Sequence, residues 1–264
     1  MAVEKTAAAT DANIDHPIVV RTIGVADLRD ALAKGFDDFK AMPTFALFLV
    51  IIYPIIGLIL FRVVFESNLL PLAFPLIAGF TLIGPFAAIG LYELSRLREQ
   101  GLPISWEAMK LHRTPSFGAI VTLGIVLTAI FFIWLGTAQA IYDLIFGRAA
   151  PVSIAEFARQ VFTTSAGWEL IFVGCGVGFV FAAVVLTISV VSFPMLLDQD
   201  VGVVTAVRTS VRAVFANPTT MAMWGLVVTG GLVIGALPFL VGLAIVLPVL
   251  GHSTWHLYRK VVGY

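Results

Sequence analysis

Thr219–Trp255 reads TTMAMWGLVVTGGLVIGALPFLVGLAIVLPVLGHSTW. The run carries no Asp, Glu, Lys or Arg and is about twice the ~20 apolar residues that a helix needs to cross ~30 Å of hydrocarbon. Gly235-Ala-Leu-Pro238 near its middle is a turn signal. The run therefore divides into two spans, Thr219–Ala236 and Phe239–Leu257, which the short connection makes antiparallel neighbours.

Working outward, four further stretches have the same character: Thr44–Phe61 with Val63–Phe65 beyond Arg62, Leu69–Leu91 with three prolines, Phe117–Ile141, and the glycine-rich Glu169–Phe193. The expected fold is an all-α membrane protein with six transmembrane helices. A membrane β-barrel would alternate apolar and polar residues over ~10 positions. These runs are continuous, which excludes it. Composition agrees: the 264 residues are 59% hydrophobic and 12% charged, with a mean hydropathy of +1.01. A soluble domain is nearer ~45–50% apolar and ~25% charged. A soluble enzyme, a nucleic-acid binder and a disordered chain are excluded on this ground.

The net charge is zero, with 16 basic and 16 acidic residues, so only their distribution informs. Thirteen of the sixteen Lys and Arg fall in the N-terminal segment, the loops after the second and fourth spans, and the C-terminus; Arg62, Arg148 and Arg159 fall on the other side. Basic residues collect on the cytoplasmic side. Both termini are expected there, in a bacterial inner membrane. Residues 1–23 lack the apolar stretch of a signal peptide and read as a cytoplasmic tail ahead of one polytopic domain, 24–264.

Within that domain a small signature occurs three times: an amphipathic segment, a proline followed by Thr or Ser, then two spans. The segments are Leu28, Leu32, Phe36 and Phe39 before Met42-Pro43-Thr44; Trp106, Met109 and Lys110 before Thr114-Pro115-Ser116; and Val203, Val207, Val211 and Phe215 before Asn217-Pro218-Thr219. The first and third spacings draw one apolar stripe along a helix, and proline suits a helix start. A threefold repeat is expected, with units of about 24–100, 101–198 and 199–264, each laying an amphipathic helix on the cytoplasmic interface before crossing twice.

Few residues suggest chemistry. Arg62, Glu93, Asp143 and Glu169 lie at span ends, whereas ion-coupled carriers place acids inside the bilayer. Glu93 and Arg96 can pair at i,i+3. His252 and His256, at i,i+4, can ligate one metal ion or hold a haem, although no third ligand is evident. The alternative for this segment is an interfacial belt in which Trp255, Tyr258, Arg259 and Lys260 anchor the last span at the headgroups. Gly174, Gly178, Gly230, Gly231 and Gly235 offer a face for close helix packing, within the bundle or against another subunit. The lone Cys175 reads as a small buried hydrophobe.

Asp27-Leu-Arg-Asp-Ala-Leu-Ala-Lys-Gly-Phe-Asp-Asp-Phe39, Gly84-Pro-Phe-Ala-Ala-Ile-Gly-Leu-Tyr-Glu-Leu-Ser-Arg96, Asn217-Pro-Thr-Thr-Met-Ala-Met-Trp224 and Leu247-Pro-Val-Leu-Gly-His-Ser-Thr-Trp-His-Leu-Tyr-Arg259 together resemble the bacterial integral-membrane family catalogued as domain of unknown function 2189. The resemblance runs from about Gly24 to the C-terminus. It implies a bacterial inner membrane, of a proteobacterium. Some members carry a cytochrome c oxidase label, but this chain lacks the midplane histidines that an oxidase core needs for its haems and copper. The leading expectation is therefore a non-enzymatic accessory or assembly partner of a larger membrane complex, a respiratory one foremost, with the lipid bilayer and other membrane subunits as partners, no cofactor and no nucleic acid. A small-solute carrier or channel, with polar groups converging near Thr81, Thr122, Thr128, Thr187 or Ser189, is the second reading. A haem- or metal-binding protein through His252 and His256 is the third.

Overall fold

A computed structural model describes residues 18–51, 55, 59, 62, 70–105, 114–147, 153–237 and 241–263. Most of the expected first span, the amphipathic segment around Trp106 and the turn at Pro238 lie outside them, as do His16 and His112. The described chain is nearly all helical. After the short strand β1 (Val19–Val20) come α1 (Val25–Ala41) and α2 (Pro43–Val50). Leu70–Glu99 is a chain of helical pieces, with α3 (Ala73–Phe80), α4 (Gly84–Ala87) and α5 (Ile89–Glu99) joined by 3₁₀ turns. Proline lacks an N–H and clashes with the preceding turn, so Pro71, Pro75 and Pro85 break what would otherwise be one rod. Then follow α6 (Phe117–Phe146), α7 (Ile154–Thr163), α8 (Ser165–Ser189), α9 (Ser192–Asp198), α10 (Val203–Ala216), α11 (Pro218–Ala236), α12 (Leu243–Val261) and β2 (Val262–Gly263).

Among the described residues, four helical stretches are long and apolar enough to cross a membrane: Leu70–Glu99, Phe117–Phe146, Ser165–Asp198 and Pro218–Ala236. They match the second to fifth expected spans. The sixth, Phe239–Leu257, corresponds to α12, whose second half is polar: Gly251, His252, Ser253, Trp255, Leu257 and Tyr258 are buried inside the protein. One helix escaped the sequence reading altogether. The amphipathic α7 sits between two spans, capped where the Ser153 hydroxyl accepts from the Glu156 amide at 3.2 Å.

The core is gathered at one end of the molecule, where α5, α9 and α12 finish and α1 and α10 lie across them. Leu91, Leu94, Phe193, Met195, Leu196, Trp224, Trp255, Leu257 and Tyr258 are all buried there. Toward the other end the apolar side chains face outward. Only 6% of the apolar window of Ser165–Asp198 is buried, and Cys175 is exposed rather than buried because no described helix covers that flank of α8. The two ends of the domain are joined at the packed end: β1 pairs antiparallel with β2, Val19 opposite Gly263 and Val20 opposite Val262.

The amphipathic helices α1 and α10 pack in the same register. Their buried lines are Leu28, Ala31, Gly35 and Asp38 in α1, and Ala206, Thr209, Ser210 and Ala213 in α10. Counted back from Pro43 and Pro218, Ala31, Gly35 and Asp38 stand where Ala206, Ser210 and Ala213 stand. The residues before the prolines share a backbone conformation, Met42 at φ −133°, ψ 43° and Asn217 at φ −132°, ψ 50°. The expected apolar stripes are displaced from the buried lines: Phe36 is 46% exposed and Phe215 74%. Small residues face inward because the helices cross their partners closely. A Cβ on Gly35 would lie 2.0 Å from Ser253 Oγ and 2.6 Å from the Ser253 amide nitrogen, so only glycine fits at that crossing of α1 over α12.

Candidate functional site

Where α1, α5 and α12 meet, a carboxylate is buried at the centre of a polar cluster. Asp38, in the last turn of α1, is 4% exposed. Its Oδ2 accepts from Ser95 Oγ at 2.6 Å and from His256 Nε2 at 2.8 Å, and its Oδ1 accepts from Arg98 Nη1. Burial is the strongest single influence on this carboxyl and pushes its pKa up. The hydrogen bonds from His256, Ser95 and Arg98 and the attraction of His256 together outweigh it, and hold Asp38 below the usual carboxylate range.

An ionised carboxylate only accepts, so the Ser95 hydroxyl donates to Asp38. His252 Nδ1 lies 2.8 Å from the same Ser95 Oγ. His252 is fully buried and its Nε2 has no hydrogen-bond partner. Asp, Ser and His are the residues of a nucleophile relay, but the wiring here differs. In such a relay histidine takes the serine proton and the carboxylate orients the histidine; here serine bridges the other two, and its hydroxyl is sealed, Ser95 being 1% exposed.

A second tier of ion pairs closes the same end. Glu99 accepts from Trp255 Nε1 at 2.8 Å and from Arg259 Nε at 3.1 Å; Asp198 accepts from Tyr258 OH at 2.7 Å and from Arg259 Nη1 at 3.3 Å. Lys260 reaches Asp27 at 3.1 Å and Asp30 at 2.9 Å. Hydrogen bonds from Lys260 and then Lys34 hold Asp30 below the usual carboxylate range. Glu93 and Arg96 pair doubly at 2.7 Å, as their spacing suggests. One helix face, read as a headgroup belt, thus supplies donors to three other helices.

The candidate residues separate accordingly. Trp255 and Tyr258, expected at the headgroup boundary, are each 1% exposed, with their polar tips bonded to acids inside the protein. Arg259 and Lys260 are only partly exposed and are ion-paired. His252 and His256 are brought together with Asp38 and Ser95, each histidine holding one of these by one ring nitrogen. Among the described residues no group of three or more His, Cys, Asp or Glu could hold a metal ion. Of the glycines, Gly178 lies against Trp134, and Gly231 and Gly235 against Val246 of α12, whereas Gly174 and Gly230 face open space. Asp38, Ser95, Arg98, Glu99 and Asp198 were not singled out from sequence. Their signal was available only as acids and hydroxyls spaced within amphipathic or span-end segments, where a solvated face is the ordinary reading.

Residues 73–198 match the model of a family described as predicted integral membrane protein (DUF2189). Over this stretch the chain is similar to that family. The matched segment runs from α3 to the end of α9, so it includes Ser95, Arg98, Glu99 and Asp198 but neither Asp38 nor the two histidines of α12. The chain is an integral membrane protein with apolar helices. No curated protein and no solved structure matches it significantly.

Proposed function

We propose that the protein is a six-span accessory or assembly subunit of a larger membrane complex, without catalytic activity of its own, in a bacterial inner membrane with both chain ends in the cytoplasm. The observation that carries this reading is the contrast in burial. The polar end is locked by hydrogen bonds across four helices, while the spans leave long apolar flanks uncovered, with Phe172, Phe179 and Val180 of α8 exposed beside the open Gly174 and Cys175. A rigid base with free lateral faces suits a protein that docks other membrane helices.

A threefold arrangement of units is part of this reading. Besides the matching register and junctions of α1 and α10, it is supported by the order of packing. The helix α1 of the first unit crosses α12, the last helix of the third. The helix α10 of the third crosses the junction of α8 and α9 at the end of the second, where Ser210 Oγ donates to the Thr187 carbonyl at 2.8 Å and accepts from the Val191 amide at 3.2 Å. The two described amphipathic helices thus each rest on a neighbouring unit, α10 on the second and α1 on the third. Among the described residues, Arg96, Arg98, Arg259 and Lys260 stand at this packed end, which supports its cytoplasmic placement.

The carrier reading requires hydroxyls turned toward a shared path. Instead Thr81, Thr122, Thr128, Thr187 and Ser189 each donate to a carbonyl three or four residues earlier on their own helix, at 2.6–2.9 Å. Purification at native expression in mild detergent is the test. A stoichiometric membrane partner, cross-linked through Cys175 on α8, is the expected result; a clean monomer overturns the assembly reading. An absorbance spectrum and metal analysis of the same sample decide the haem or metal alternative at His252 and His256.

A further inference from the structure

The outward face of α10 carries two arginines that form no ion pair with the described residues. Val204, Arg208, Val211, Arg212 and Phe215 fall within one arc of this helix, opposite the buried line of Ala206, Ser210 and Ala213. Val204 is 65% and Phe215 74% exposed, and both arginines are exposed. Neither arginine pairs with an acid among the described residues, and α10 contains no acid of its own. A shallow cleft of ≈ 330 Å³ opens on this face, lined by Val203, Val204, Val207 and Arg208. The helix lies between two apolar helices, ending at Asp198 and beginning at Pro218, so connectivity holds it at a membrane surface. Exposed apolar side chains flanked by arginines whose stems can reach past them are what an interfacial helix needs.

We propose that α10 is a binding site for anionic phospholipid, with Arg208 and Arg212 on the headgroup phosphates and Val204 and Phe215 in the acyl boundary. Charge complementarity argues for an anionic rather than a zwitterionic lipid, because the two positive charges have no counter-charge among the described residues. The corresponding helix of the first unit is the internal control. The helix α1 holds four acids and three bases, and its lysines are neutralised in place, Lys34 by Asp30 at 3.0 Å and Lys40 by Asp37 at 2.8 Å. It offers no net positive face.

The inference rests on the membrane-spanning reading, and its test separates the two. The full-length protein is reconstituted in bilayers of equal phosphatidylglycerol and phosphatidylcholine, extracted gently, and its retained lipids are counted by native mass spectrometry. Wild type retains phosphatidylglycerol in excess. The excess falls roughly fivefold for each arginine removed, so that R208Q/R212Q retains the two lipids in their bulk ratio. R208K/R212K and R29Q keep the excess. Inorganic phosphate added to phosphatidylcholine bilayers does not substitute; displacement of the bound lipid by phosphate at millimolar concentration would assign the site to free phosphate and overturn the proposal. Equal retention by wild type, or an unchanged excess in R208Q/R212Q, also overturns it. Failure of the protein to enter bilayers at all would instead remove the membrane-spanning reading beneath it.

Discussion

The helices α1 and α10 are two uses of one scaffold. Both end at a residue with φ near −130° before a proline, and both bury a line of small side chains against a neighbouring helix. They differ where the line ends. The first has Asp38, in a pocket of donors from Ser95, His256 and Arg98; the other has Ala213, fully buried and apolar. The junctions differ too. Asn217 ties α10 to the N-terminal segment, its Oδ1 accepting from the Ile23 amide at 2.7 Å and its Nδ2 donating to the Arg21 and Ala213 carbonyls at 3.0 Å, whereas Met42 can form no such amide bonds. So α1 is fixed by charge and α10 by neutral hydrogen bonds; among the described residues α1 sets one unpaired arginine, Arg29, beside four acids, whereas α10 carries two arginines and no acid. Similar backbone geometry has allowed one helix to become an anchor and the other a contact face.

Removing the charge should break this contrast most strongly. Asp38→Ala leaves Arg98 and the sealed Ser95 and His256 without their acceptor, and costs about 3–5 kcal/mol, read as a large fall in the thermal midpoint of the detergent-solubilised protein. Ala213→Gly, at the corresponding site, costs only about 1 kcal/mol. Asp38 also sets a pH dependence. Its folded pKa lies below the ordinary value of about 3.9, so its contribution is complete above that value and is lost as pH falls through the folded pKa. The gap in midpoint between wild type and D38N should therefore be widest near pH 6 and close as the pH is taken toward 2. A gap that stays constant would mean that the carboxylate charge contributes nothing.

Next comes the helix crossing itself. Gly35→Ala places a methyl group against the Ser253 backbone, for which no rotamer can compensate, and should cost about 3 kcal/mol, at the upper end of overpacking. Ser210→Ala, its counterpart, adds no atoms. It leaves the Val191 amide without its side-chain acceptor and costs about 1–3 kcal/mol. If the two losses were equal, the register shared by α1 and α10 would have no energetic meaning.

The sequence made the membrane helices legible because hydropathy over twenty residues is a long, redundant signal. Phe117–Ile141 and Thr219–Ala236 correspond closely to α6 and α11. The amphipathic helices were legible as helices but not as to which face turns inward. Their strongest apolar residues, Phe36 and Phe215, face out, because glycine, alanine and serine are what permit close crossings, and a hydrophobic stripe cannot register them. Trp255 and Tyr258 are buried against acids for a related reason. Aromatic residues with polar tips suit a headgroup boundary and a buried acid equally well, and only the fold brings Glu99 and Asp198 beneath them. Asp38 carries no local signal of a site, since its partners are distant in sequence, 57 residues away in Ser95 and 218 in His256.

The smallest effect is the sharpest test of the division between the two helices. In a neutral detergent R208Q/R212Q should leave the thermal midpoint within about 0.5 kcal/mol of wild type, as exposed substitutions without partners do. Arg98→Gln, which takes a charged donor from Asp38, should not be silent under the same conditions. Two arginines are lost in one case and one in the other, so counting charges predicts the opposite order. What differs is where each guanidinium ends: on a buried carboxylate for Arg98, and at the protein surface for Arg208 and Arg212. A destabilised R208Q/R212Q in neutral detergent would mean that these arginines hold the protein together rather than face its surroundings. The distinction between an anchored α1 and an outward-facing α10 would then collapse.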